Sequence, residues 1–316
     1  MSERIKTKHG KTSKKDNLWG LLLASPPIIG FILFSLIPLV FSLYMSVCTT
    51  KGFLIGNMQF LGFANMFGNF KEVLTDPLFY KALLNTLYSL LALPISICLS
   101  LVISVLLTKK DLPHKKIFRT IFFLPYVCSI VALTTMWRTA ILDKSYGILN
   151  QFLGLFRINP IAWLTDSRAF MPAMIIMSVW MNVGFYTILF SAALTGVNES
   201  LYEAASLDGA NRMQKFFKIT VPMISPTTFY ILVTGLIGGL QEFTRFQAIN
   251  NVASNLISPT GPDNAGLTIV FYLYNKGFNT STGMGVAAAT SWILCVVIGI
   301  ITFINFKFSD KWVNYD

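Results

Sequence analysis

Six stretches of this 316-residue chain contain long apolar runs without Asp, Glu, Lys or Arg. A hydrocarbon core about 30 Å thick requires about 20 apolar helical residues, at 1.5 Å each, to cross it. The pattern therefore predicts six membrane-spanning helices, of which the third is the shortest. The predicted spans cover residues 18–48, 82–108, 117–138, 169–197, 220–249 and 280–306.

The composition supports an all-α membrane protein. The chain is 54% hydrophobic and 12% charged, and its mean hydropathy is +0.61, whereas soluble domains carry about 25% charged residues. We predict one transmembrane domain at 18–308, a basic tail at 1–17 and a short tail at 309–316. The first apolar run is too long for a cleaved secretory signal, so it is interpreted as an uncleaved span.

Four cysteines, Cys48, Cys98, Cys128 and Cys295, lie singly in the predicted spans. They have no Cys-x-x-Cys spacing, so they are interpreted as small core residues, and neither a metal site nor a disulfide is indicated.

The net charge of +11 is unevenly distributed. With the amino terminus inside, sixteen of the 25 Lys and Arg residues fall on the cytoplasmic side of the predicted spans. This asymmetry predicts that both termini are cytoplasmic. The basic tail is accordingly interpreted as a topology signal that contacts anionic lipid, and not as a nucleic-acid arm.

A polar island at residues 199–218 separates the fourth and fifth spans. Two residue pairs have the spacing of a capping box, namely Ser200 with Glu203 and Asn211 with Gln214. The pattern predicts short helices at 201–207 and 212–218, joined by a turn in which Gly209 takes a positive φ.

The island resembles the EAA loop of ABC-importer permeases. The family pattern is E-A-A, three residues, G, nine residues, I, one residue and L-P. The island matches it with Glu203-Ala204-Ala205, Gly209, Ile219 and Pro222, and Val221 stands in place of the Leu. In that family the loop receives force from an ATPase. The resemblance implies an ATPase-coupling role for Glu203, Ala204, Ala205, Asp208, Gly209 and Pro222. The plainer alternative is an interfacial loop in which Glu203 caps its own helix.

The whole chain resembles the sugar-importer branch of these permeases, which includes the larger permease subunit of maltose transporters. The similar segments are 24–38, 76–86, 118–125, 146–150 and 287–294. The large extracytoplasmic domain and the extra leading spans of the maltose subunit are absent from this sequence.

The resemblance implies several partners: a second permease subunit, two ATP-binding subunits that carry ATP and Mg, and an extracytoplasmic solute-binding protein. It also implies a sugar or oligosaccharide substrate and a bacterial or archaeal inner membrane. The binding protein is expected to deliver solute to the outer segments at 51–81 and 250–276, the first of which has an amphipathic helical pattern at 63–74.

We expect a non-enzyme that binds no cofactor or metal of its own. Gly10-Lys11-Thr12 resembles the end of a P-loop, but Ile5 stands where the first Gly is required. No convincing catalytic site is found in the sequence. Two alternatives stay open: a secondary transporter or channel subunit with a regulatory inner loop, and an ABC permease for a non-sugar solute such as glycerol phosphate.

Polar residues within the spans indicate a candidate solute pathway, because such residues are costly in lipid. On the fourth span Ser178, Asn182 and Tyr186 share one helical face; on the fifth, Thr234, Gly238, Gln241 and Arg245 do so. We predict Asn182, Tyr186, Gln241 and Arg245 as pathway residues, and Ser178 and Thr234 as helix–helix contacts. Arg245 has two further interpretations: an anchor at the outer interface, paired with Glu242, or a site for an acidic saccharide.

Overall fold

The computed structural model describes residues 14–50, 58–108, 113–251, 260–279 and 283–314. Most of the predicted basic tail, the ends of the other tail and parts of the predicted outer segments lie outside the described residues. In the described part the regular secondary structure is helical apart from one two-stranded antiparallel sheet, in which β1 (Cys48–Thr50) pairs with β2 (Met58–Phe60). The all-α class is thereby confirmed.

The α-helices of the described ranges are, in chain order, α1 Lys14–Phe31, α2 Ile37–Ser46, α3 Gly68–Thr75, α4 Pro77–Ser89, α5 Ala92–Leu107, α6 Lys115–Val127, α7 Ile130–Met136, α8 Ile148–Leu155, α9 Ser167–Gly196, α10 Glu199–Leu207, α11 Arg212–Lys215, α12 Val221–Met223, α13 Ser225–Leu240, α14 Thr244–Asn251, α15 Ile269–Tyr274 and α16 Met284–Ser309. Short π-helical segments cover Ile32–Leu36, Trp137–Ile141, Phe216–Thr220 and Asn275–Asn279, and 3-10 turns cover Phe63–Asn65 and Pro262–Asn264.

Four helices of the described chain are long and apolar enough to cross a membrane. They are Leu18–Ser46, Pro77–Leu107, Ser167–Gly196 and Met284–Ser309. Two bent pairs also qualify when each pair is taken together, Lys115–Val127 with Ile130–Ile141 and Arg212–Met223 with Ser225–Leu240. The count is thus four, or six if each bent pair is one span.

The third predicted span is not the uninterrupted helix expected at 117–138. Its two halves are bent by 101° at Cys128 and Ser129, whose ψ angles of 153° and 127° are not helical. Pro125, shortly before the break, lacks the N–H that would bond the preceding turn. The chain therefore changes direction where hydropathy alone predicted a straight rod.

The fifth predicted span also needs correction, because α13 ends at Leu240 and not near residue 249. Gly238 and Gly239 precede the end, and glycine weakens a helix through its conformational freedom. After a break at residues 241–243 the chain continues as the separate helix α14. At its other end, α13 is bent by 62° from the helix that precedes it.

Three other predicted boundaries differ from the structure. The second span begins at Pro77, because the Asp76 carboxylate accepts a 2.9 Å hydrogen bond from the Leu78 N–H and caps the helix. The sixth begins at Met284, after Gly283 at φ 83°; residues 280–282 lie outside the described residues. The amphipathic segment at 63–74 is a 3-10 turn followed by α3, not one helix.

The core is organised around α9, whose Phe170, Met174, Met177 and Phe190 are almost fully buried. Helix α5 packs against α9 and buries three serines at four-residue spacing, Ser96, Ser100 and Ser104. Their hydroxyls bond carbonyls of their own helix, and their small size lets neighbouring helices approach closely.

The cysteine prediction holds for Cys48, which is buried, but not for Cys98, Cys128 and Cys295. These three side chains are exposed on this chain: Cys98 and Cys295 lie on outward faces of α5 and α16, and Cys128 lies in the break between α6 and α7. All four thiols are free.

The described parts of two predicted outer segments, 51–81 and 250–276, lie at one end of the molecule. There the Tyr272 hydroxyl of the second segment donates to Asp76 Oδ2 of the first at 2.9 Å. Elsewhere, the Asn314 N–H donates to Ser225 Oγ (2.9 Å), so the carboxyl-terminal segment lies beside the start of α13. The orientation across the membrane stays a prediction.

Candidate translocation cavity and coupling hairpin

A cavity of about 450 Å³ lies among α4, α5, α6, α7, α9, α13 and α14. Its polar lining residues are Ser89, Tyr126, Ser178, Asn182, Tyr186, Tyr230, Thr234, Glu242 and Arg245. The remaining lining is apolar or glycine, including Leu93, Met181 and Phe185. Such a mixture of apolar walls and a few placed polar groups is typical of small-molecule sites.

Three of the four predicted pathway residues, Asn182, Tyr186 and Arg245, line this cavity. Gln241 does not; it is exposed at the carboxyl end of α13. The spacing that placed Gln241 and Arg245 on one helical face does not apply, because α13 ends at Leu240. The role of these residues in transport stays a prediction.

Ser178 and Thr234 were predicted to join neighbouring helices, yet both line the cavity. Their hydroxyls donate within their own helices, to the Met174 carbonyl and the Tyr230 carbonyl, each at 2.7 Å. A hydroxyl that donates in this way keeps acceptor lone pairs. Both groups are therefore available to a hydrogen-bond donor in the cavity.

The predicted pairing of Arg245 with Glu242 is confirmed, and it occurs at the cavity wall. Glu242 Oε2 accepts a charge-assisted hydrogen bond from Arg245 Nη2, and Oε1 accepts the Arg245 N–H at 3.2 Å. The two side chains are 15% and 12% exposed. Each of these two side chains is therefore largely buried and has its ion-pair partner on the same turn.

Aromatic rings form another part of the wall that the sequence analysis missed. The Tyr126 ring stacks on the Phe185 ring with centroids 4.3 Å apart and planes 6° apart. Gly235 leaves room for Tyr186, since a Cβ there would lie 3.0 Å from the Tyr186 hydroxyl. Helical spacing in the sequence could have indicated Tyr230, which lies one turn before Thr234. It could not have indicated Tyr126, which reaches the cavity from a different helix.

We call residues 198–220 the coupling hairpin. Its predicted helix–turn–helix structure is confirmed, with α10, a turn in which Gly209 has φ 76°, and α11. Both capping-box bonds between Asn211 and Gln214 are present, at 2.8 and 2.9 Å. The box predicted for Ser200 and Glu203 is wrong, because Asn198 is the cap and accepts the Ser200 N–H at 3.0 Å.

The hairpin is held together by its own side chains. The Tyr202 hydroxyl and Thr220 Oγ1 lie 2.9 Å apart, and Lys215 Nζ donates to Ser206 Oγ at 2.5 Å. These bonds join α10 to the segment that enters α13. The two halves of the hairpin are therefore joined by side-chain hydrogen bonds as well as by the turn.

A shallow pocket of about 400 Å³ on the hairpin is lined by residues that include Ala205, Asp208 and Gly209. Two more predicted coupling residues, Glu203 and Ala204, are exposed on α10, and Pro222 is half-buried at the start of α12. Leu207, at the tip, is 90% exposed. Small residues beside an exposed apolar side chain offer a surface that another protein can approach closely.

Comparison with known proteins agrees with this architecture. Residues 21–314 match the family described as binding-protein-dependent transport system inner membrane component. The "probable ABC transporter permease protein YesP" of Bacillus subtilis (strain 168) is 35% identical over 98% of this chain and 96% of its own length. The lactose transport system permease protein LacF of Rhizobium radiobacter is 32% identical over 91% and 92%.

A solved structure has the same fold. A chain of a bacterial alginate ABC transporter, in complex with an alginate pentasaccharide-bound periplasmic protein, superposes with a TM-score of 0.76. It is 27% identical and matches 94% of this chain and 95% of its own. With the family match over nearly its whole length, this chain belongs to the inner membrane components of binding-protein-dependent transport systems.

Proposed function

We propose that this chain is a pore-forming permease subunit of an ATP-driven importer that translocates a sugar or oligosaccharide. The observation that carries the proposal is the direct connection between the coupling hairpin and the cavity. Helix α9 contributes Asn182 and Tyr186 to the cavity wall and leads into the hairpin, and the hairpin leads into α13, which contributes Thr234. A displacement of the hairpin therefore moves two walls of the cavity.

A saccharide suits the lining of this cavity. Hydroxyl groups of sugars both donate and accept hydrogen bonds, as do the amide of Asn182 and the hydroxyls of Tyr230 and Thr234. The Tyr126 side chain is half exposed at the cavity and offers aromatic surface to the apolar side of a sugar ring. The relative named for lactose transport and the solved alginate transporter support this substrate class.

The partners follow from the same proposal. The importer contains a second permease subunit, two ATP-binding subunits that hold ATP and Mg, and an extracytoplasmic binding protein, in a cell membrane that this chain crosses several times with both termini in the cytoplasm. The solved transporter bound to a periplasmic protein supports the binding-protein partner. ATP-driven closure of the ATPases moves the coupling hairpin, and α9 and α13 transmit that motion to the cavity.

Gly209→Asp tests the coupling role. Aspartate tolerates the positive φ of this position, so the turn is expected to fold while the added side chain obstructs close approach at the hairpin. We expect the variant to reach the membrane, to lose the ATPase subunits on purification, and to lose ATP-dependent saccharide uptake. The control is Gly154→Asp, because Gly154 is exposed on α8, outside the hairpin, and has no heavy atom near an added Cβ.

Retention of the ATPases by Gly209→Asp, at the level seen with Gly154→Asp, would contradict the coupling role. Uptake that continues without ATP and follows an ion gradient would instead favour a secondary transporter. The two assays therefore separate the proposed importer from its main alternative.

A further inference from the structure

The charged groups of the cavity cancel one another. Among the lining residues in the described part of the chain, and tyrosines apart, the ionisable side chains are Glu242 and Arg245. They form an ion pair with each other. With the two paired, the charges on the wall that this chain contributes are balanced.

The pair is fixed within the fold. Both carboxylate oxygens of Glu242 are occupied by Arg245, one by its backbone N–H and one by its guanidinium. The Glu242 carbonyl in turn accepts a 2.9 Å hydrogen bond from Thr268 Oγ1, which ties this turn to the start of α15. Both oxygens of the carboxylate therefore face Arg245.

An anionic ligand at this site would meet an Arg245 whose charge Glu242 already neutralises. It would also bring its own charge close to the Glu242 carboxylate, which is only 15% exposed, and like charges repel strongly where water is largely excluded. An uncharged saccharide meets no such cost, because its hydroxyls can bond the tyrosine, threonine and asparagine groups of the wall and the spare donors of Arg245.

We propose that Glu242 makes the cavity selective for uncharged saccharides by neutralising Arg245. This inference rests on the proposed function, since it assumes that the cavity lies on the route of the saccharide. It assigns Glu242 as a specificity-determining residue and excludes acidic saccharides and phosphorylated solutes as preferred substrates.

The test is direct binding to the purified permease–ATPase complex in lipid nanodiscs, without the binding protein, whose own selectivity would mask that of the cavity. The probes are arabinopentaose, which is neutral, and alginate pentasaccharide, which is anionic, each titrated by calorimetry. Wild type is expected to bind the neutral probe and to reject the anionic one. Glu242→Gln keeps the shape of the side chain and leaves Arg245 positive, so the anionic probe should gain about 10- to 100-fold in affinity.

Two variants control the interpretation. The double variant Glu242→Gln with Arg245→Gln restores a neutral wall and should lose that gain. Asp310→Asn removes an exposed carboxylate outside the cavity and should behave as wild type. Should Glu242→Gln fail to fold, competition on the wild type decides, because an excess of alginate pentasaccharide is expected to leave arabinopentaose binding unchanged.

The inference is overturned if wild type binds the anionic probe as tightly as the neutral one, if it binds neither, or if folded Glu242→Gln leaves the preference unaltered. Uptake into proteoliposomes with the binding protein is measured in parallel. ATP-driven uptake combined with an unaltered preference would defeat the role of Glu242 alone, whereas absence of any ATP-driven uptake would defeat the proposed function.

Discussion

At Gly184 the backbones of two helices meet without an intervening side chain. A Cβ built on Gly184 of α9 would lie 1.8 Å from the Phe122 carbonyl oxygen of α6. Backbone cannot yield in the way that the end of a flexible side chain can, so this position accepts only glycine in the present packing. Because α9 carries Asn182 and Tyr186 and α6 carries Tyr126, the contact fixes the distance between two walls of the cavity.

Gly184→Ala is therefore expected to destabilise the protein. Separating the helices to admit one methyl group should lower the free energy of unfolding by about 1–3 kcal/mol, measured as a fall in the thermal unfolding midpoint of the purified protein. Gly196→Ala is the control on the same helix, since an added Cβ there meets nothing within 4 Å. It should leave stability unchanged or raise it by up to about 1 kcal/mol. Equal midpoints for the two variants would show that the close contact is not maintained.

Between elements, the start of α4 is joined to α15 and the segment after it by a partly buried polar cluster. The Tyr272 hydroxyl and Lys276 Nζ both donate to Asp76 Oδ2, each at 2.9 Å. Burial raises the pKa of Asp76, but hydrogen bonds from Lys276, the Leu78 N–H and Tyr272 outweigh it and hold the pKa below its ordinary value of 3.8. Burial and the Asp76 carboxylate raise the pKa of Tyr272, so its hydroxyl keeps the proton that it donates.

A carboxyl group whose pKa falls on folding stabilises the native state above its unfolded pKa, and the contribution is lost as the pH falls through the lowered value. We expect Asp76→Asn, which keeps a good helix cap, to be less stable than wild type at pH 7 by about 1–3 kcal/mol. The difference should shrink as the pH falls below about 4. Thermal unfolding of both proteins between these pH values measures it, with Asp310→Asn as the exposed control. A difference independent of pH would exclude the ion pair as its source.

The length of the apolar runs predicted the positions of the long helices, but it did not predict where the chain bends between helices. The fourth span was predicted closely because α9 is one regular helix, and the same regularity brought Asn182 and Tyr186 to the cavity. Hydropathy carries no information on backbone direction, so the bend at Ser129 was not predicted. Gln241 does not line the cavity for a related reason, since helical spacing was extended past the end of α13. Cavity residues from a second helix, such as Tyr126, depend on tertiary packing.

On the scale of the whole molecule, the described chain has two polar ends. One holds the Asp76 cluster, the sheet and the 3-10 turn at Phe63; the other holds the coupling hairpin and the carboxyl-terminal segment. Helices connect these ends, so a force applied at the hairpin can reach the cavity through covalent structure. If the distribution of Lys and Arg determines orientation, the hairpin faces the cytoplasm.

Phe63 and Leu207 are matched reporters of that orientation, because each side chain is 90% exposed and they lie at opposite ends. In intact cells, a membrane-impermeant maleimide should label Phe63→Cys. It should label Leu207→Cys only after the cells are permeabilised. Both signals are measured above the labelling of the native cysteines. Co-expression of the ATPase subunits should then reduce the Leu207→Cys signal severalfold, because docking on the coupling hairpin covers its tip, and should leave Phe63→Cys unchanged. Labelling of Leu207→Cys in intact cells would reverse the predicted topology, and a signal indifferent to the ATPases would leave the hairpin without its proposed partner.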